Sequence, residues 1–268
     1  MSDANLENAV SECIKGSLSF NGQRCTAIKI IFVHSSVAKK FTDMFTEKAN
    51  ALKYGLPWQE GVFVTPLPDL KKINYLQEVI QEALQKGAVH CNPGFANISS
   101  VAAVNPSNSS IAGNVSGVLS CGSLMLPAVI GKVSLDSRLA KEEQFGPVVP
   151  ICEYNSIQEV IQYMVQSPFG MQASLFGQDP KQVGALIDQL ANQVCRINLN
   201  TQCQRGPDVF PFTGRKGSAE GTLSVYDALR SFSIRSMVAI KQDADGKKLV
   251  REILQGDASR FLNSDFML

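Results

Sequence analysis

The sequence predicts an α/β protein of three layers, α/β/α, with a mainly parallel sheet covered by helices on both faces. Two features carry that reading. Short apolar runs rich in β-branched residues occur at 28–33, 148–153, 172–176 and 194–199, and segments whose apolar residues recur every three or four positions lie between them. Strands alternating with helices need crossover connections, which make the sheet parallel and bury both its faces. Composition agrees: of 268 residues, 44% are hydrophobic and 18% charged, enough apolar surface for a substantial core.

Taken in order, Asp3 is the expected N-cap of a helix in which Leu6, Val10, Ile14 and Leu18 recur at a spacing of four, ending before Asn21 and Gly22. A loop with Cys25 leads into the strand at 28–33. Behind Ser35 and Ser36, the residues Val37, Phe41, Met44, Phe45 and Leu52 mark one face of a second helix. Ile73, Leu76, Ile80, Ala83 and Leu84 define a third over 73–86, with Gly87 as its stop and a strand at 88–91. Helices at 157–165 and 180–191 separate the later strands, and a final strand is expected at 236–241. Residues 92–130 carry no charge and are dominated by Asn, Ser, Gly and small apolar residues. They read as an insertion, for which a hairpin or a surface loop competes with disorder. A polar break at 242–246 and a short helix at 247–261 form a C-terminal extension, 242–268, beyond a main domain at 3–241.

Charge and cysteine usage narrow the function. Lys and Arg total 25 against 24 for Asp and Glu, so there is no electrostatic footprint for a nucleic-acid backbone or an anionic membrane. No apolar stretch is long enough to span a bilayer, and a cytoplasmic protein without nucleic-acid or membrane partners is expected. Seven cysteines without a CxxC pair argue against a disulfide scaffold, and the two separated histidines, His34 and His90, give no metal site. Sulfur, carboxylate and arginine are left to carry any catalysis.

Three stretches hold such groups. In Asn21-Gly22-Gln23-Arg24-Cys25-Thr26 a thiol follows a helix and a glycine turn and precedes a strand, at the rim of the sheet, with Arg24 beside it to favour thiolate. Cys13, Cys152 and Cys195 lie among apolar neighbours and read as packing, which leaves Cys203 as the rival. The second stretch, Glu142-Glu143-Gln144-Phe145-Gly146-Pro147, breaks the chain immediately before a strand. The third, residues 200–218, is a Gly- and Pro-punctuated loop after a strand end, where open α/β sheets bind ligands.

In order and content these stretches resemble the catalytic half of the aldehyde dehydrogenase superfamily. Gly22-Gln23-Arg24-Cys25-Thr26 is similar to its nucleophile motif and Glu142-Glu143-Gln144-Phe145-Gly146-Pro147 to its Glu-Glu-x-Phe-Gly-Pro motif. Asp3-Ala4-Asn5-Leu6 and the segment from Phe169 to Phe176 resemble further family segments, so the likeness covers about 3–241 apart from the insertion. Arg24, Gln172 and the run Gln202-Cys203-Gln204-Arg205-Gly206-Pro207-Asp208 with Phe210-Pro211-Phe212 most resemble the branch that oxidises glyceraldehyde-3-phosphate without phosphorylating it.

The resemblance implies roles. Cys25 would attack the aldehyde, and hydride transfer to NADP, with NAD as the alternative cofactor, would leave a thioester for water to hydrolyse. Glu143 would accept hydrogen bonds from the nicotinamide ribose, Phe145 would pack near the nicotinamide, and Arg24 and Arg205 would bind the phosphate of a phosphorylated aldehyde. The general-base glutamate, the oxyanion-hole asparagine and the dinucleotide-binding domain of the family precede the nucleophile helix and are not in this sequence. The expectation is therefore a fragment inactive by itself, from an enzyme that is a homo-oligomer at full length and whose partner subunit would pair with the strand at 236–241. The competing expectation is a non-catalytic structural or interaction module descended from such an enzyme.

Overall fold

A computed structural model describes residues 1–93 and 120–262. It divides into two units, Met1–Arg205 with Thr213–Glu220, and Gly206–Phe212 with Gly221–Leu268. The division falls earlier than the expected boundary at 241.

The first unit is built on a four-stranded sheet in the order β1-β6-β5-β2, with β1 at Ile31–His34, β2 at Val89–His90, β5 at Ala128–Gly131 and β6 at Val148–Tyr154. Strands β1 and β5 run parallel to β6, placing Ile31 opposite Ile151 and Val129 opposite Val149, while the short β2 is antiparallel to β5. Two short strands, β3 (Ser120–Cys121) and β4 (Leu124–Met125), form an antiparallel pair. Further along, β8 (Gln172–Leu175) and β9 (Arg196–Leu199) form a separate parallel pair, and β7 (Phe169–Gly170) pairs antiparallel with Arg215–Lys216. The mainly parallel sheet of the sequence reading is present, divided into these pieces.

Side-chain alternation along the strands explains the layers. Ile31, Val33, Val129, Val149 and Ile151 face α1 (Leu6–Leu18) and α2 (Ser35–Asn50), where Val10, Leu18, Phe41 and Phe45 complete one core. Ala128, Ile130, Val148 and Cys152 point the other way, onto Ile73, Leu76, Val79 and Ile80 of α3 (Leu70–Gln85). Successive residues serve opposite cores, which is why these strands read as continuous apolar runs. Each fully buried Leu, Ile or Phe here contributes about 1.5–3 kcal/mol of transfer free energy.

Several expectations need correction. Asn5, not Asp3, caps α1, its side chain accepting from Asn8 N–H. The Asp3 carboxylate accepts instead from the N–H groups of Gln178 and Asp179, both at 2.7 Å, at the start of α6 (Pro180–Leu190). The insertion read at 92–130 is too long at both ends. Buried Asn92 clamps the sheet, its Oδ1 accepting from Val129 N–H at 2.9 Å and its Nδ2 donating to Pro127 O at 2.9 Å. Leu124 to Ile130 is core, a buried apolar run whose lack of charge resembled an inserted loop. Residues 94–119 of that expected insertion lie outside the described residues. The helices at 157–165 and 180–191 are found as α5 (Ile157–Gln166), which starts with a capping box of Ser156 and Glu159, and α6, which has Pro180 in its first turn. A short helix between them and α3, α4, spans Arg138–Lys141.

The second unit holds α7 (Val225–Ser231) and α8 (Ala244–Gln255), the latter starting and ending earlier than the expected 247–261. The final strand expected at 236–241 is not formed: this stretch is exposed and outside any ladder, because an extended segment needs a neighbouring strand to take up its backbone hydrogen bonds.

Candidate active site

The Cys25 turn begins where α1 stops. The backbone passes through three consecutive left-handed residues, Phe20, Asn21 and Gly22, with φ of 54°, 58° and 69°. Asn tolerates that region, and here its side chain is clamped: Thr65 N–H donates to Asn21 Oδ1 at 2.9 Å and Asn21 Nδ2 donates to Thr65 Oγ1 at 3.0 Å. At Gly22 no other residue fits, because a Cβ would lie 2.5 Å from Gly146 O and 2.8 Å from Ser17 O. Past the turn, Ile28 N–H returns to Gly16 O at 2.9 Å and fastens the chain back along α1. Thr26 and Ala27 are buried, and Cys25 between turn and strand is exposed.

The second motif is fixed by its own neighbours. Glu142 is tied to Arg138, at 2.7 and 3.1 Å, and to the Tyr75 hydroxyl at 2.9 Å. Buried Gln144 donates to Leu139 O at 2.6 Å. Glu143 is faced by Lys29, and Phe145 adopts φ of 48°. The two adjacent carboxylates are similarly exposed, at 38% and 41%, and differ in their partners, Glu142 being held by Arg138 and Tyr75. The close approach of Gly22 to Gly146 joins this loop to the Cys25 turn.

Lys29 joins them a second time. Its Nζ donates to Gly22 O at 3.1 Å and Arg24 O at 3.0 Å, lies 3.8 Å from Glu143 Oε1 and sits 4.2 Å from the centre of the Phe145 ring. The sequence reading missed this residue. Its signal was a lone charge within the otherwise apolar run 28–33.

Arg24 turns onto its own loop, with Nη2 donating to Ser19 Oγ at 2.6 Å and the guanidinium 5.4 Å from the Phe20 ring centre. Its Nε is buried without a partner. Arg205 is exposed at the far end of a segment held tightly up to Gln204. There the Gln172 amide acts like a strand edge, donating to Gln204 O at 2.9 Å and accepting from Gln204 N–H at 3.1 Å. Glu12 of α1 accepts from Thr201 Oγ1 and Gln202 N–H, both at 3.0 Å. A cavity of 410 Å³ has Cys25, Lys29, Glu143, Phe145 and Gln172 on its wall, together with an apolar lining.

The rival thiols are placed differently. Cys203 is buried with Sγ 3.2 Å from Ser174 Oγ, and burial pushes its thiol up. Burial also raises Cys13 and Cys91 and pushes Cys152 up to about 12. His34 caps α2, accepting from Ser36 N–H.

In a mainly parallel three-layer fold, an exposed thiol on a glycine turn thus shares a cavity wall with an exposed carboxylate and a ring, and Lys29 bridges the turn to both. The profile of the Aldehyde dehydrogenase family matches residues 1–238, and the chain belongs to that family. It is 32% identical over 241 residues to an NADP-dependent glyceraldehyde-3-phosphate dehydrogenase of Streptococcus equinus, covering 90% of this chain and 44% of that protein. It is 29% identical over 240 residues to a sulfoacetaldehyde dehydrogenase of Neptuniibacter caesariensis, covering 90% and 47%. Among solved structures, the NADP-dependent glyceraldehyde-3-phosphate dehydrogenase of Bacillus halodurans C-125 complexed with NADP superposes with a TM-score of 0.72 at 32% identity, over 85% of this chain and 42% of that one. The chain spans less than half the length of the relatives it matches.

Proposed function

We propose that this chain is the catalytic half of an NADP-dependent dehydrogenase that oxidises glyceraldehyde-3-phosphate to 3-phosphoglycerate through a thioester on Cys25. The observation that supports it most is the double junction of the two loops, through Gly22 with Gly146 and through Lys29, with the exposed Cys25, Glu143 and Phe145 lining one cavity. The Cys25 thiolate attacks the aldehyde carbon, and its own main-chain N–H donates to the oxygen of the tetrahedral adduct. Bound NADP, or NAD in its place, supplies the hydride acceptor. The residues fit the nicotinamide-ribose end of such a group: Glu143 offers an exposed carboxylate to ribose hydroxyls, and Phe145 offers a flat apolar face. Water then cleaves the thioester, releasing the acid and restoring the thiol.

Arg24 and Arg205 take the phosphate. Arginine donates two parallel hydrogen bonds to an oxyanion, and Arg205 is exposed. The similarity to a sulfoacetaldehyde dehydrogenase fits the same reading, because a sulfonate also sets anionic oxygens apart from an aldehyde carbon. No helix among the described residues is long and apolar enough to cross a membrane, and we place the protein in the cytoplasm, where free thiols stay reduced. In the longer enzyme the exposed apolar residues Phe232, Ile234 and Met237 support pairing with a second subunit; alone, the chain is expected to sediment as a monomer or a non-native dimer, and a stable tetramer contradicts this.

An assay that needs no hydride acceptor tests the thiol. An activated ester such as p-nitrophenyl acetate transfers its acyl group to Cys25, seen as an acetylated peptide and a release of p-nitrophenolate that Cys25→Ser lowers at least about tenfold. Glyceraldehyde-3-phosphate protects Cys25 from alkylation more strongly than glyceraldehyde does, and Arg205→Ala weakens that preference by roughly tenfold or more, since a charge-assisted pair contributes about 1.5–3 kcal/mol. Acylation spread over other thiols, or equal protection by both aldehydes, refutes the catalytic or the phosphate assignment respectively. Absence of any acyl transfer favours the non-catalytic module.

A further inference from the structure

We propose that Lys29 is a positioning residue whose ammonium group adds a charge-dependent tie between the Cys25 turn and the Glu143–Phe145 loop, beside the backbone contact of Gly22 with Gly146. The inference rests on the assignment of Cys25 as nucleophile and adds to it a residue that neither sequence motif includes.

The ammonium group donates to two carbonyls of the turn, Gly22 O and Arg24 O. It also lies 3.8 Å from Glu143 Oε1, an ion pair without a hydrogen bond, and 4.2 Å from the centre of the Phe145 ring. Cation–π attraction and the ion pair both act on the loop, while the carbonyl contacts act on the turn. A neutral amine can still donate to both carbonyls with its two N–H groups, so deprotonation removes the attraction to Glu143 and Phe145 and leaves the ties to the turn.

Lys29 is also poised to change state. Its side chain is 22% exposed. Burial pulls its pKa down to about 8; Glu143 and Cys25 pull it back up, while Lys72 and Arg24 add to the lowering. The sign follows. Below about pH 8 Lys29 is charged and attracts both Glu143 and Phe145; above it that attraction is lost and the backbone contact of Gly22 with Gly146 remains.

The test is alkylation of Cys25 in this chain by iodoacetamide, with peptide mapping, from pH 6.5 to 10 in the parent, Lys29→Met and Lys29→Arg. At pH 7.5 Lys29→Met alkylates about three- to tenfold more slowly than the parent. Lys29→Arg recovers to within about twofold, and the parent-to-Met ratio closes toward one above about pH 9. A structural role alone gives a loss that does not depend on pH and is not recovered by arginine. Equal rates in parent and Lys29→Met overturn the proposal. If Cys203 or Cys91 labels before Cys25 in the parent, the assignment of the nucleophile itself falls, and the proposal with it. Should Lys29→Met fail to fold, lysine labelled with carbon-13 at Cε reports the same coupling in the parent. One resonance then titrates near pH 8 and shifts to lower pH once Cys25 is carbamidomethylated; a resonance that does not move contradicts the proposal.

Discussion

The two sides of the site are held by different means. On the thiol side, the Cys25 turn meets the Glu143 loop backbone to backbone, through left-handed residues and a glycine whose Cβ position is already filled by Gly146 O. On the Arg205 side, proposed to meet substrate, the segment is held by side chains, with Glu12 gripping Thr201 and Gln202, and Gln172 gripping Gln204. A steric junction fails abruptly, whereas a hydrogen-bonded one weakens by increments as each bond is lost. The chemistry common to a family belongs on the first kind of junction, and specificity, which must vary, belongs on the second.

The largest expected effect follows from the first side. Gly22→Ala puts a methyl group into Gly146 O at a positive φ, costs about 2–3 kcal/mol and lowers Tm by roughly 5–10 °C, with the acyl transfer at Cys25 lost as the loops part. Thermal melts and ester turnover on the same sample check this. Next is Glu12→Ala, which leaves Gln202 N–H and Thr201 Oγ1 without their acceptor and costs about 1–3 kcal/mol without altering Cys25 acylation. If it abolished acylation instead, the two sides would not be separable.

Acid sharpens the same contrast. At Glu12 burial alone raises the carboxyl pKa, but hydrogen bonds from Gln202, Lys15 and Thr201 outweigh it and hold the group below its ordinary value of 4.5. At Asp3 the hydrogen bond from Gln178 leads in lowering it below 3.8, with burial opposing. A folded pKa below the unfolded one gives stability that is present above the unfolded value and lost as pH falls through the folded one. Tm is therefore expected to fall below about pH 5 as these carboxylates protonate, and Glu12→Gln flattens part of that fall. The smallest effect is that of Arg205→Ala on stability, within about 0.5 kcal/mol, because its side chain is exposed.

What the sequence made legible follows the same division. The strand runs at 28–33 and 148–153, the helix faces and both motifs are local patterns, and they reappear as β1, β6, α1 to α3 and the two joined loops. Residues that act across the fold were not legible. Asp3 looks like an N-cap by type and position, yet it binds N–H groups 175 and 176 residues away. Asn92 sits in a polar stretch that reads as loop, and its partners across the sheet decide that it is a clamp. The run from Leu124 to Ile130 lacks charge because both faces are buried, which composition alone cannot separate from an inserted loop. Lys29 was hidden in its strand run, since only the fold brings Glu143 and Phe145 to it.

The central claim is that the fold of this chain assembles the thiol side of the site and singles out Cys25. Competitive alkylation at limiting iodoacetamide, with all seven cysteines followed by peptide mapping, tests it directly. Cys25 is exposed, whereas Cys13, Cys152 and Cys203 are buried and, like Cys91, have thiols pushed up by burial. The account predicts that the Cys25 peptide is labelled first in the parent and loses that lead in Gly22→Ala. Labelling that begins at Cys203 or Cys91, or a Cys25 lead that survives Gly22→Ala unchanged in a folded protein, contradicts it.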